Sequence, residues 1–170
     1  AAGQLAGVII VTFMLFIVFR AIAARPFQGL SLWVSRGSEK FTMVRTIVAV
    51  VIAGLVDVLA VVLAYAGGGA VSNYLAEDNA TAATRLALFL NAFMIVELVK
   101  VVLRMLFAKR YASLRLVPVT ADQAAYCNRF FAGIAGFVGY GVLVLVPILN
   151  FNISPNLGSG VSSLIVFTAA

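Results

Sequence analysis

No histidine occurs anywhere in the 170 residues, Cys127 is the single cysteine, and charged residues make up only 11%. Each shortage closes a class of function. Without histidine, most zinc sites, the Ser and Cys triads that need an imidazole base, and any histidine pH switch are excluded. One cysteine forms no internal disulfide. The six carboxylates are scattered, and no glycine-rich phosphate loop stands between a strand and a helix. The chain therefore reads as a protein with no catalytic site, cofactor or metal.

The shortage of charge carries a second consequence. A soluble domain needs roughly a quarter of its residues charged, whereas here 64% are hydrophobic and the mean hydropathy is +1.12. Most of the surface must therefore face lipid. The net charge of +6 comes from Lys and Arg gathered between apolar runs, as in cytoplasmic loops of membrane proteins. A basic face interleaved with exposed polar or aromatic residues is missing, which argues against nucleic acid as a partner. The chain opens AAGQ without Met and closes TAA within an apolar run, the look of a stretch of a longer protein. The first run ends in Arg20, Arg25 and Pro26, not in a small-residue cleavage site, so a signal peptide is not expected.

Apolar runs predict antiparallel transmembrane helices over about 5–24, 46–66, 86–107 and 130–149, with a fifth beginning near 157. Twenty residues at 1.5 Å each reach ~30 Å, the thickness of the hydrocarbon core. Only helices satisfy their own amides there, since no barrel-like alternation is present. The fold class is an all-α membrane protein. Between the first two spans, Phe27, Leu30, Val34, Phe41 and Val44 recur at near-helical spacing. Two readings fit: amphipathic turns at headgroup level, or a loop in which Ser38 and Glu39 start the next helix. The triple glycine Gly67-Gly68-Gly69 reads as the end of the second span. Asp78 or Asn79 is a candidate cap for the third helix. Asn79-Ala80-Thr81 also matches a glycosylation acceptor, a pattern common by chance. Thr120 with Gln123 forms a capping box that starts the fourth helix before its membrane segment.

Charge distribution sets an expected topology. Basic residues cluster in the first and third connections, while the second is acidic apart from Arg85 and the fourth is uncharged. The positive-inside rule then places loops 25–45 and 108–129 in the cytoplasm and the N-terminus in the periplasm. Arg25, Trp33, Arg36, Lys109, Arg110 and Arg115 are the candidate interfacial anchors.

Four polar residues stand out inside the spans: Asp57, Glu97, Lys100 and Arg104. A charge at the bilayer centre costs about 2.5–3.5 kcal/mol on insertion scales, so each requires a partner or water. Glu97, Lys100 and Arg104 share one helix face. Asp57 lies ~18 Å and Glu97 ~15 Å from the cytoplasmic helix ends. This set fits an ion or proton relay, or a structural pairing of helices two and three with Lys100 and Arg104 reaching toward the interface. In the fourth helix, Ala132 with Gly136 and Ala135 with Gly139 are small-xxx-small pairs suited to close helix packing. Phe137 and Tyr140 are read there as lipid-facing.

The run VELVKVVLRMLFAKRYASLRLVPVTADQAAYCNRF resembles the membrane region of large, moderate-conductance bacterial mechanosensitive channels of the MscS superfamily. The likeness rests on the span ending in Arg104, the Lys109-Arg110 pair, the Leu114-Arg115-Leu116-Val117-Pro118 segment and the helix restarting after it. The first two helices match only in hydropathy and order. The resemblance implies a homo-oligomer, usually a heptamer, in the bacterial inner membrane, opened by bilayer stretch on osmotic downshock. Residues 1–170 would then form one helical region of lipid-facing outer helices in contact with membrane lipids, with the pore helix and soluble domain elsewhere. Two alternatives remain open at this point. One is a fragment of an ion-coupled secondary transporter in which Asp57 and Glu97 bind the ion, and the other is a non-conducting membrane scaffold subunit.

Overall fold

The computed structural model describes residues 2–35, 42–75, 80–107, 120–152 and 155–169. Among them the chain is helical throughout: α1 Ala2–Ser35, α2 Thr42–Leu75, α3 Ala80–Leu106, α4 Ala121–Tyr140, a π-helical turn Gly141–Leu145, α5 Val146–Asn152 and α6 Pro155–Ala169. Four helical stretches are long and apolar enough to cross a membrane: Gly3–Ser35, Met43–Leu75, Ala80–Leu106 and Ala121–Leu149. Consecutive helices pack side by side, and α1 also touches α3. Antiparallel pairing of the first two is fixed at one end, where Gln4 Nε2 donates to the Leu75 carbonyl at 2.8 Å.

Two boundaries differ from the sequence expectation. The first helix does not stop near Ala24 but runs through Arg25 and Pro26 to Ser35. The second does not stop at the triple glycine but continues to Leu75. Glycine is a poor helix former where water competes for its amides; in a bilayer those amides have no other partner. Gly67 and Gly68 instead serve packing. A Cβ on Gly67 would strike Leu15 Cδ1, and one on Gly68 would meet Thr12 Oγ1 and lie 2.8 Å from Leu90 Cδ2. Gly69 has nothing within 4 Å. Two of the three glycines therefore let α1 and α3 approach α2.

The continuous α1 settles the 25–35 stretch as helix, while the second half of that connection, including Ser38, Glu39 and Phe41, lies outside the described residues. The candidate caps Asp78 and Asn79 lie outside them too. At α4 the capping box forms: Gln123 N donates to Thr120 Oγ1 at 3.3 Å, and Thr120 N donates to Gln123 Oε1 at 3.1 Å.

The core is a seam of α1, α2 and α3 built on Val8, Phe16, Val61, Leu86, Leu90 and Phe93. Phe13 meets Phe93 edge-on at 5.5 Å, and Tyr140 stacks on Phe89 at 6.3 Å. Tyr140 therefore joins the core rather than facing lipid, whereas Phe137 is 56% exposed. The aromatic cluster recruits Tyr140 because its ring finds two others, Phe13 tilted at 6.2 Å and Phe89 stacked. After Tyr140 the helix widens into the π turn, where Val146 N–H donates to the Gly141 carbonyl. Pro147 follows directly and has no N–H to give to the preceding turn, a common setting for a π bulge. α6 then folds back on α4 and the π turn, with Ile165 Cδ1 set 2.8 Å from where a Cβ on Gly141 would stand.

Candidate functional site

The buried carboxylates among the described residues, Asp57 and Glu97, lie at one place. Asp57 on α2 is 5% exposed and Glu97 on α3 is 2% exposed. Helical spacing puts Glu97, Lys100 and Arg104 in one row on α3, and that row faces Asp57. Arg104 Nε donates to Asp57 Oδ2 at 2.8 Å, and its Nη1 stands 3.9 Å from Glu97 Oε2. Lys100 Nζ donates to Glu97 Oε1 at 2.7 Å. The four groups thus form one chain of alternating charge, Asp57–Arg104–Glu97–Lys100, with zero net charge.

Neutrality is what makes the arrangement tolerable. An ion removed from water costs several kcal/mol, and only close, hydrogen-bonded opposite charges offset it. Arg104 turns inward to Asp57 and Glu97 and does not extend toward the interface, because two carboxylates attract it there. Its side chain is 17% exposed and that of Lys100 21%. Asp57 Oδ1 and Arg104 Nη2 are both buried without a hydrogen-bond partner. They belong to the same pair, which makes one contact of the two that a side-on Arg–carboxylate fork offers.

The pairing depends on close helices, and glycine supplies the closeness. A Cβ on Gly54, one turn before Asp57, would stand 2.6 Å from Met105 Sδ, the residue after Arg104. Buried Ala49, Ala53, Ala60 and Ala64 line the same side of α2. Sequence reading found small-xxx-small pairs only in α4 and missed this stripe. The signal was present in the 49/53 and 60/64/68 spacing.

On α4 the four candidate packing residues divide. Gly139 sits against Val96 so closely that a Cβ would collide with Val96 Cγ2, and a Cβ on Gly136 would be 3.7 Å from Lys100 Nζ. Ala132 instead lines a cleft, and Ala135 is half-buried. Lys100 Nζ also lies 5.7 Å from the centre of the Tyr140 ring, a cation–π contact that ties α4 to the charged row.

Of the candidate anchors, Arg25 is exposed on α1 and Trp33 is 43% exposed. The Arg45 guanidinium covers the Trp33 ring at 4.6 Å and links α2 to α1. Arg36, Lys109, Arg110 and Arg115 lie outside the described residues. Among the described residues no three His, Cys, Asp or Glu side chains come together as metal ligands.

Beside the charged row, α1, α2, α3 and the start of α4 enclose a cleft of about 1450 Å³. Its walls include all four network residues together with Arg20 and Arg129. Apolar helices long enough to cross a membrane, packed around a neutral ion-pair row, describe a transmembrane bundle.

Comparison with known proteins gives the bundle a relative. Over 151 residues, 88% of its length, the chain is 26% identical to the moderate conductance mechanosensitive channel YbiO of Escherichia coli (strain K12). This chain is a homologue of a mechanosensitive channel. The match covers 20% of that protein, so the chain spans about a fifth of the length of the curated relative it matches. No family profile matches the chain, and no solved structure matches it.

Proposed function

We propose that this chain is the tension-sensing, lipid-facing transmembrane region of a bacterial mechanosensitive ion channel of the MscS type, opened by stretch on osmotic downshock. The observation that carries the reading is the similarity to YbiO across 88% of the chain. On this reading the helices lie in the inner membrane, outside a pore helix and a soluble domain. Several copies surround one pore, seven by the MscS resemblance. The relative is named as a channel, which fits the expectation that this chain is not an enzyme.

The helices have the physical means to feel thickness. α1 and α2 are 34 residues each, about 50 Å long at the helical rise, against a hydrocarbon core of about 30 Å. Apolar side chains at Ile47, Val51, Leu55 and Leu59 stand exposed along α2, so a thinning bilayer changes how much of that surface is covered. Mismatch costs fractions of a kcal/mol per Å for one helix. Summed over several helices and subunits, it approaches the roughly 5.5 kcal/mol that switches a two-state equilibrium decisively.

Patch recording of the full-length protein, with and without residues 1–107, tests the proposal. Removal of these helices is expected to shift the opening tension. Conductance with an unchanged threshold would leave them a scaffold, and absence of any conductance in the intact protein would end the channel reading. The transporter alternative receives no support from the site, since Asp57 and Glu97 already hold cations of the protein itself.

A further inference from the structure

We propose that the cleft between α1, α2, α3 and α4 is an aqueous crevice, whose water completes the hydrogen bonding of the ion-pair row inside the bundle. The inference goes beyond the tension-sensing reading and does not depend on it.

Buried polar atoms carry the argument. Among the described residues, four buried side-chain atoms make no hydrogen bond, and three of them belong to residues of the cleft wall: Asp57 Oδ1, Arg104 Nη2 and Asn128 Oδ1. Asp57 is 5% exposed, so the cleft is where its second oxygen finds a partner. Leaving such a group unsatisfied costs its full desolvation penalty. The partner must donate to Asp57 Oδ1 and accept from Arg104 Nη2, the two ends of one ion pair. Water does both, and it is the usual bridge between buried polar groups.

Polar groups also recur along the whole cleft. α3 and α4 run antiparallel, since Gly139 packs on Val96 while Phe131 stacks on Phe107. Asp57 and Glu97 therefore mark one end of the cleft, and Asp122, Asn128 and Arg129 of α4 mark the other, with Lys100 and Arg104 between them. The α3 wall from Glu97 to Phe107 is about 15 Å long at the helical rise, half of a ~30 Å hydrocarbon core. An apolar occupant would cover a carboxylate, an amide or a cation at each level, whereas water hydrogen-bonds to them. Space is ample: the cleft of about 1450 Å³ has room for tens of molecules at ~30 Å³ each.

The test uses the full-length protein in liposomes, with Cys127 replaced by serine and a charged methanethiosulfonate on both sides of the membrane. Ala53 lines the cleft and is 8% exposed, while Leu55 is 64% exposed. Two residues apart, they lie on opposite faces of α2 within about 3 Å of depth. Ala53→Cys is expected to react about a hundredfold faster than Leu55→Cys, because hydrocarbon excludes both the thiolate and the charged reagent. Equal, slow reaction at both positions would overturn the proposal. So would labelling of Ala53→Cys by a lipid-soluble maleimide alone, which would mean an apolar occupant. Fast reaction at both would put α2 outside lipid and overturn it too. Hydroxyl-radical footprinting of the unaltered protein gives a second reading that needs no variant. Phe16, in the cleft wall and 7% exposed, should be hydroxylated faster than Phe137, which is 56% exposed. More label on Phe137 than on Phe16 would overturn the proposal.

Discussion

Arg104 on α3 donates from Nε to Asp57 on α2 at 2.8 Å, across 47 residues of sequence, and that bond joins the two helices in the bundle interior. Around it, Asp57 faces Arg104 and Glu97 faces Lys100, so the row is neutral. Removing one partner should therefore harm more than removing both. Asp57→Ala is expected to cost about 3–5 kcal/mol in thermal or denaturant unfolding of the detergent-solubilised protein, because Arg104 and Lys100 are left to share Glu97 and the row keeps one uncompensated positive charge. Asp57→Leu with Arg104→Met should cost clearly less than the sum of the single changes. Strict additivity in that cycle would show that the two groups do not interact.

The triple glycine offers a sharper comparison, since three neighbours sit in three environments. Gly69→Ala meets open space and should be neutral or stabilising by up to ~1 kcal/mol through helix propensity. Gly68→Ala places a methyl group against Thr12 and Leu90 and should destabilise by about 1–3 kcal/mol. If the two variants unfold alike, the packing of α1 on α2 differs from that described.

On α4, Gly139→Ala drives a methyl group into Val96 Cγ2. Valine is stiff at χ1 and cannot swing away, so a loss of about 1–3 kcal/mol is expected. Val96→Ala in the same chain should recover most of it. Failure of that rescue would place the strain elsewhere.

Topology can be read by labelling. With Cys127 replaced by serine in the full-length protein, single cysteines at Met43 and Gln123 should react with an impermeant reagent from the cytoplasmic side only. A cysteine at Tyr74, which is 78% exposed, should react from the periplasmic side. Reaction of Met43→Cys and Gln123→Cys from different sides would contradict an even number of crossings between them.

How much of this was legible in the residues follows from what kind of physics each feature obeys. Helical class and the four helices long and apolar enough to cross a membrane rest on hydropathy summed over twenty positions, a local quantity that neighbours in space do not alter. The Thr120–Gln123 cap is equally local, since its partners are three residues apart. The end of the second helix was misread where a water-based rule was applied to a chain in lipid, at Gly67. The Asp57–Arg104 bond, the placement of Tyr140 in the aromatic cluster and the role of Gly54 required knowing which helix faces which.

Composition and periodicity by themselves determined that this protein is a set of apolar helices for a bilayer, because every amide in oil must bond within its own helix. Tertiary structure alone decided which base neutralises which acid, which glycines are contacts, and that four helices leave a charged cleft. Those outcomes depend on distances between segments far apart in the chain, and sequence spacing contains no such distance.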